Sequence, residues 1–341
     1  MKSIILVGGK GTRLRPLTYE TPKQMLPLVG VPMIESVLAS LASYGVTDAV
    51  LSLGYLPERF TAAYPTNVIG GVRVTYAVEP APLDTAGAIR FAASTARLDE
   101  TFVVVNGDVL SDLDLSKLLA FHREHRAQAT IALTPVEDPS RYGVVTVNEE
   151  GRVLAFVEKP PKDEAPSNLI NAGVYLFEPS VVAHIDPTRP VSVERETFPE
   201  LVRQGTLFAL ADEAYWLDTG TPQTYLRANV DVLRGARPAS HFAGVVDGAW
   251  RHPSATIDPT AKVTNSVVDQ NCVVGALVVL EDAVLLPGAV VQSECVIRSS
   301  IIGPEAVIGS GSVLGPTCVV GANEHVAPVS QLSGDVRLGG V

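Results

Sequence analysis

The stretch "IGPEAVIGSGSVLGPTCVV", residues 302–320, places an aliphatic residue at every sixth position and a glycine directly after each. Ile302, Ile308, Leu314, Val320 and Val326 form one ladder; Val268, Val274, Leu280 and Leu286 form an earlier one, offset by an irregular turn. A period of six fits neither an amphipathic helix, which repeats about every 3.6 residues, nor a β-sandwich, whose turns recur about every 8 to 12. It predicts a β-helix of hexapeptide repeats, each short strand burying its aliphatic residue between the coils on either side. The regular repeat covers about Ile257 to Val326, and its texture begins after "RGARP", residues 234–238, so the expected domains are 1–235 and 236–341.

Toward the N-terminus the texture changes. The β-branched runs "SIILV", "DAVLSL", "VRVTYAV" and "TFVVVN" alternate with helix-like segments from Pro32 to Tyr44, Thr85 to Ser94 and Leu115 to His125. That alternation predicts an α/β domain with a mostly parallel sheet. Pro32 is expected in the first turn of its helix, where a missing N–H costs nothing. "HREH", His122 to His125, has a metal-like spacing, but its Arg and Glu predict a solvated helix face.

The 341 residues are 46% hydrophobic and 18% charged, enough for packed cores in two domains. A formal net charge of -11 argues against nucleic acid as the main partner and makes the cations near the start a local site. Cys272, Cys295 and Cys318 lack C-x-x-C neighbours and read as small buried hydrophobes, not as zinc ligands or disulfides. Met1-Lys2-Ser3 leads straight into a strand-like run, so the expectation is a cytoplasmic chain with no signal peptide and no membrane span.

The cations belong to "ILVGGKGTRLRPLT", residues 5–18. From Gly9 it reads G-K-G-T-R-L, which lacks the third glycine of a dinucleotide fingerprint, and it has no P-loop spacing. The strand-to-loop context still presents the backbone N–H groups of Gly8, Gly9 and Gly11 at the carboxyl end of a strand, where open α/β sheets bind ligands. Lys10, Arg13, Arg15 and Lys23 fall within fourteen residues of an acidic chain, which a multiply charged anion explains.

"GGKGTRLRPLT" followed by "PKQMLPLVGVPMIESVL" resembles the signature of the sugar-1-phosphate nucleotidyltransferases. The resemblance continues in order through "LDTAGAI", "VNGDVL", "RYGVV", "FVEKP", "NAGVYLF", "SVERETFP" and "YWLDTGTPQTY". It implies a Rossmann-like nucleotidyltransferase domain followed by a left-handed β-helix, and attack by a sugar 1-phosphate on the α-phosphorus of a nucleoside triphosphate. Such transfers rest on positioning and charge stabilisation, and a largely dianionic phosphate needs no general base. The resemblance implies that Arg13 grips the triphosphate, that Lys23 contacts phosphates, and that Asp108 and Asp218 hold Mg²⁺, which typically takes one or two protein carboxylates. Leu6, Gly8, Gly9, Gly11, Thr12, Glu79, Thr85, Ala86 and Gly87 would surround the nucleotide, Gly87 by letting backbone approach closely. Lys159 would bind the sugar phosphate, with Gly143, Glu158, Asn171, Gly173 and Glu194 around the sugar. Asp84 departs from the pattern, since the family commonly has Gly before "TAG".

Within the family the chain is most similar to the mannose-1-phosphate guanylyltransferases, implying GTP and mannose 1-phosphate. UTP or dTTP with glucose 1-phosphate, and GTP with a cyclitol or unusual sugar phosphate, are the alternatives. A catalytically silent regulatory paralogue would be expected to lose the cations or the aspartates, and Arg13, Lys23, Asp108, Lys159 and Asp218 are all present. Acetyl transfer by the tail is disfavoured by its few coils and by His325 being the sole histidine well inside them. The tail reads as a lid, regulatory or oligomerisation module, so a homo-oligomer is expected.

Overall fold

The computed structural model describes residues 1–237, 245–246 and 248–340; Pro238, which ends the "RGARP" stretch, lies outside them. The chain divides into two compact units, Met1–Gly9 with Val37–Leu217, and Lys10–Ser36 with residues 218 onward. Gly8 and Gly9 thus belong to the first unit, and the loop from Gly11 to Lys23 to the second.

The first unit is built on a ten-stranded sheet whose centre is parallel: Phe102–Asn106, Lys2–Leu6, Asp48–Leu53 and Val72–Val78 lie side by side in that order. These strands read as nearly continuous apolar runs because both faces are covered, as in buried parallel sheets; Ile4, Ile5, Leu51, Val103 and Val104 are inaccessible to solvent. On one side the sheet continues antiparallel through Leu169–Phe177, which pairs with Phe102–Asn106, Ala129–Pro135 and Gly143–Val147. Between Asn171 and Tyr175 this strand bulges, four steps opposing the two from Leu133 to Ile131.

Helices Asp84–Thr95 and Leu115–Glu124 lie within one residue of the expected spans. Asp114 caps the second by accepting from the Ser116 and Lys117 amides at 2.9 and 3.2 Å. The expectation of a solvated "HREH" face is corrected. His122 is buried, with Nδ1 2.7 Å from Thr130 Oγ1 and Nε2 3.1 Å from Glu178 Oε1. His125 packs its ring on Phe121 and Phe208, and only Arg123 and Glu124 of the four face solvent. Leu115, Leu118 and His122 form the inward stripe of the helix, so i, i+3 and i, i+4 geometry carries the histidine into the core regardless of its neighbours' charge. No cluster of His, Cys, Asp and Glu suited to a metal occurs among the described residues.

In the second unit, Pro27–Leu28 pairs with Val31–Pro32 across Val29-Gly30, whose φ angles of 47° and 78° are both positive, as a type I′ hairpin requires. Pro32 therefore ends a hairpin instead of starting the helix, which begins at Met33. The strained Val29 is secured where its N–H donates to Asn229 Oδ1 at 2.9 Å, from helix Pro222–Leu233.

Beyond Ala249–Arg251 the short strands stack as three parallel sheets, the arrangement of the left-handed β-helix of hexapeptide repeats. Trp250 pairs with Val267, Val267 with Val284 and Val284 with Ile301, 17 residues per coil; Ile301 pairs with Val319 and Val319 with Arg337, 18 per coil. The early coils are thus one residue short of three full hexapeptides, which is the origin of the offset between the two ladders. As a consequence Leu285, not Leu286, stacks between Val268 and Ile302, correcting the ladder at that position. Stacking also runs past Val326 to Leu338. Cys272, Cys295 and Cys318 are free, buried members of this core, and burial pushes the Cys272 thiol up to about 12. Among the described residues no helix is long and apolar enough to cross a membrane.

Candidate active site

In the first unit, the nucleotide-side candidates sit at the carboxyl ends of the parallel strands. Leu6 is paired with Ser52 and Asn106. A Cβ on the following Gly8 would lie 3.4 Å from Glu79 Oε1, and one on Gly9 would meet open space. Glu79 is fixed beside this loop: Ser52 Oγ donates to Oε1 at 3.0 Å and the Leu83 amide to Oε2 at 3.4 Å. Thr85, Ala86 and Gly87 form the first turn of their helix, where amides would be open to an anion or base. Here the Ala86 and Gly87 amides donate to the Val191 carbonyl at 2.8 and 3.1 Å, and the room left by Gly87 is taken by Leu83, 3.0 Å from where its Cβ would be. Thr85 Oγ1 donates to Glu194 Oε2 at 2.7 Å, joining a nucleotide-side candidate to a sugar-side one. Asp84, where glycine is common, has φ of 58°, a conformation glycine enters freely and aspartate tolerates; its Oδ1 accepts from the Thr85 amide at 2.7 Å.

The sugar-side candidates gather around the bulge. Asn171 Oδ1 accepts from the Gly173 amide and its Nδ2 donates to Tyr175 Oη, both at 2.9 Å. Gly173, with φ of 73°, leaves space that a Cβ would fill 2.7 Å from Asn106 Nδ2, so Asn106 is drawn to the same point. Burial, reinforced by the charges of Glu194 and Glu158, pushes the Tyr175 phenol far above its ordinary range, so it stays a neutral hydroxyl at working pH. Gly143 pairs with Glu158 across the antiparallel strands. Lys159 Nζ lies 2.8 Å from Glu158 Oε1, with 58% of its side chain exposed. The Glu158 side chain is only 19% exposed, but the ammonium end of the pair is open to solvent and so to a phosphate. Tyr142 stands edge-on to Trp216 at 5.4 Å, and Trp216 Nε1 donates to the Ala172 carbonyl at 2.9 Å, bracing the bulge. Asp108 lies, partly buried, in the two-residue link between Phe102–Asn106 and Val109–Ser111.

In the second unit, Gly11 caps the short 3₁₀ turn Thr12–Leu14 in the left-handed region, φ 61°, and its carbonyl accepts from Leu14 N–H and Thr18 Oγ1 at 2.9 and 2.8 Å. This turn exposes Thr12 and Arg13, and Arg13 Nη2 lies 3.8 Å from Asp218 Oδ2. Gly220 makes the approach possible: a Cβ there would lie 2.5 Å from Arg13 Nη2, while its amide donates to Asp218 Oδ1 at 2.8 Å. Lys23 is 8% exposed, its Cβ packed beneath Gly11, which distinguishes it from a surface cation.

Asn106, Tyr142, Tyr175 and Trp216 escape a reading of the sequence, although each lies within a conspicuous motif, "VNGDVL", "RYGVV", "NAGVYLF" and "YWLDTG". A polar residue closing an apolar strand, as in Asn106, was the available signal.

Residues 2–235 match the family described as nucleotidyl transferase, and residues 245–337 the GMPPB C-terminal domain. The chain belongs to the nucleotidyl transferase family. Among curated members it is 41% identical over 276 residues to a mannose-1-phosphate guanylyltransferase of Mycobacterium tuberculosis, covering 80% of this chain and 76% of that protein. It is 41% identical over 274 residues to a mannose-1-phosphate guanyltransferase of Schizosaccharomyces pombe, covering 77% and 74%. Among solved structures it resembles a putative glucose-1-phosphate thymidylyltransferase of Bacillus anthracis in complex with a sucrose, with TM-score 0.61 and 27% identity over 67% of this chain and 94% of that one. It also resembles HddC from Yersinia pseudotuberculosis complexed with GMP-PN, with TM-score 0.58 and 28% identity over 67% and 97%. At about 28% identity the nucleotidyl transferase fold thus accompanies more than one base, and the fold alone does not select it.

Proposed function

We propose that this nucleotidyl transferase joins GTP and mannose 1-phosphate to give GDP-mannose and pyrophosphate. The observation that carries the reading is the 41% identity, across most of the chain, to mannose-1-phosphate guanylyltransferases of a bacterium and a yeast. The attacking phosphate is already largely dianionic at neutral pH, so the protein's task is to hold two anions together. Arg13 and Lys23 bind the triphosphate; Gly8, Gly9, Gly11 and Thr12 line its approach, and Glu79 and Thr85 face the base. Lys159 binds the sugar phosphate, and Glu158, Asn171 and the main chain at Gly143 and Gly173 take up sugar hydroxyls, a task for which carboxylate and amide groups offer both acceptors and donors. Glu194, hydrogen-bonded to Thr85, is a further residue on the sugar side. Asp108 and Asp218 are the carboxylates for Mg²⁺, an all-oxygen donor set suited to that ion, which when bound neutralises phosphate charge.

The catalytic portion ends near residue 235, in line with the extent of the family match. The β-helix, with Leu277 and Val329 exposed at 59% and 72%, joins copies of the chain. The compartment is the cytoplasm, in keeping with three unpaired cysteines. Pyrophosphate release measured for GTP, ATP, UTP, CTP and dTTP, each against mannose, glucose and galactose 1-phosphates, tests the substrate reading. The expected maximum is GTP with mannose 1-phosphate; a maximum at dTTP or UTP with glucose 1-phosphate would overturn it.

A further inference from the structure

We propose that Arg337, in the last coil of the β-helix, is a positioning residue for the loop that carries Arg13. Its Nη1 donates to the Arg13 carbonyl at 2.7 Å and to the Arg15 carbonyl at 3.3 Å, more than 320 residues away in sequence. Asp335 Oδ1, 3.2 Å from Arg337 Nε, orients the guanidinium from within the same coil. Pro16 is seated on two glycines of the final coils: a Cβ on Gly321 would lie 3.0 Å from it and one on Gly339 3.2 Å. Beyond Pro16 the loop and the coils part around a cavity of about 460 Å³, with Tyr19 and Met25 on one side and Pro304 and Glu324 on the other. Leu14 and Leu17 are buried and Pro16 is packed on the coils, and to that packing Arg337 adds a direct hold on the carbonyls of Arg13 and Arg15.

The consequence follows from geometry. Arg13 sits on a 3₁₀ turn of three residues, and from this main-chain position its guanidinium lies 3.8 Å from Asp218 Oδ2. A binding group held in its competent position for only part of the time weakens apparent affinity in proportion. The tail thus acts on triphosphate binding through the backbone of Arg13. This inference rests on the reading of Arg13 as the triphosphate's partner.

Steady-state kinetics with GTP and mannose 1-phosphate on full-length chains tests both. Arg337→Ala is expected to raise the KM for GTP about tenfold while leaving the KM for mannose 1-phosphate and the melting temperature unchanged. Arg337→Lys, which keeps one cationic donor, is expected to recover most of the loss. In an Arg13→Ala background, Arg337→Ala is expected to add nothing further. A KM for GTP within twofold of wild type beside a damaged Arg13→Ala would overturn the clamp alone, as would additive effects of the two substitutions. A parallel rise of both KM values with a lowered melting temperature would also overturn it, by making Arg337 a general stabiliser. An Arg13→Ala chain with an unchanged KM for GTP would overturn the reading of Arg13 itself, and the clamp with it.

Discussion

The β-helix and the parallel sheet of the first unit bury similar aliphatic residues by opposite means. In the β-helix each inward residue meets the one 17 or 18 positions on, so the core is a column of near neighbours. In the sheet, Lys2–Leu6 is flanked by strands starting 46 and 100 residues later, and Thr85 meets Glu194 across 109. The first arrangement is repetitive and tolerates a missing residue in each early coil. The second brings chemically distinct groups from remote segments to one point, which is what a site for two substrates needs.

The sharpest test of that division is chemical. Asp108→Asn is expected to lower Mg²⁺-dependent pyrophosphate release by about a thousandfold, roughly 4 kcal/mol of transition-state stabilisation, with the melting temperature unchanged; near-normal turnover would remove Asp108 from the reaction. Next in size, Ile308→Ala in the β-helix core is expected to cost about 3 kcal/mol. Because coils contact only their neighbours, hydrogen exchange should quicken in the adjacent coils alone, whereas Ile4→Ala should quicken exchange across the whole sheet. Equal spread from both positions would break the comparison. Tyr175→Phe removes the hydroxyl that receives Asn171 Nδ2. It is expected to raise the KM for mannose 1-phosphate about fivefold and leave that for GTP unchanged, about 1 kcal/mol for one buried hydrogen bond; an effect on GTP instead would move the bulge to the nucleotide side.

The smallest effect is expected at the amino ends of two neighbouring inner strands, Asp48–Leu53 and Val72–Val78. The Arg73 guanidinium, bonded to both oxygens of Asp48, lowers that carboxyl to about 2. A depressed carboxyl contributes stability above its unfolded value, near 3.9, and loses it as pH falls toward 2. Since both side chains are more than a third exposed, Asp48→Asn should cost no more than about 0.5 kcal/mol at pH 7 and nothing measurable at pH 2. Melting curves at the two pH values decide it.

How legible each part was in the sequence follows the same division. The hexapeptide ladder announced the β-helix because its contacts repeat at short, fixed separations, and the one slip, Leu286 for Leu285, came from a coil length that a six-residue count does not contain. The four parallel strands were legible as apolar runs. "HREH" misled because charged neighbours describe one helix face while the histidines lie on another, and Pro32 misled because its ring suits a hairpin end as well as a helix start. The candidate residues of the site were named by their motifs, but not their frame.

By itself, then, the sequence determined the repeat, the apolar strand pattern, and the inventory of cations and carboxylates around the glycine loop, since period and residue chemistry are local properties. Only the tertiary structure decided that Val191 occupies the amides of Ala86 and Gly87, that Asn106, Asn171 and Tyr175 meet at one bulge, and that Arg337 holds the backbone of Arg13. Those are contacts between segments far apart in the chain, and their partners are fixed by how strands pair and coils stack, which no local pattern encodes.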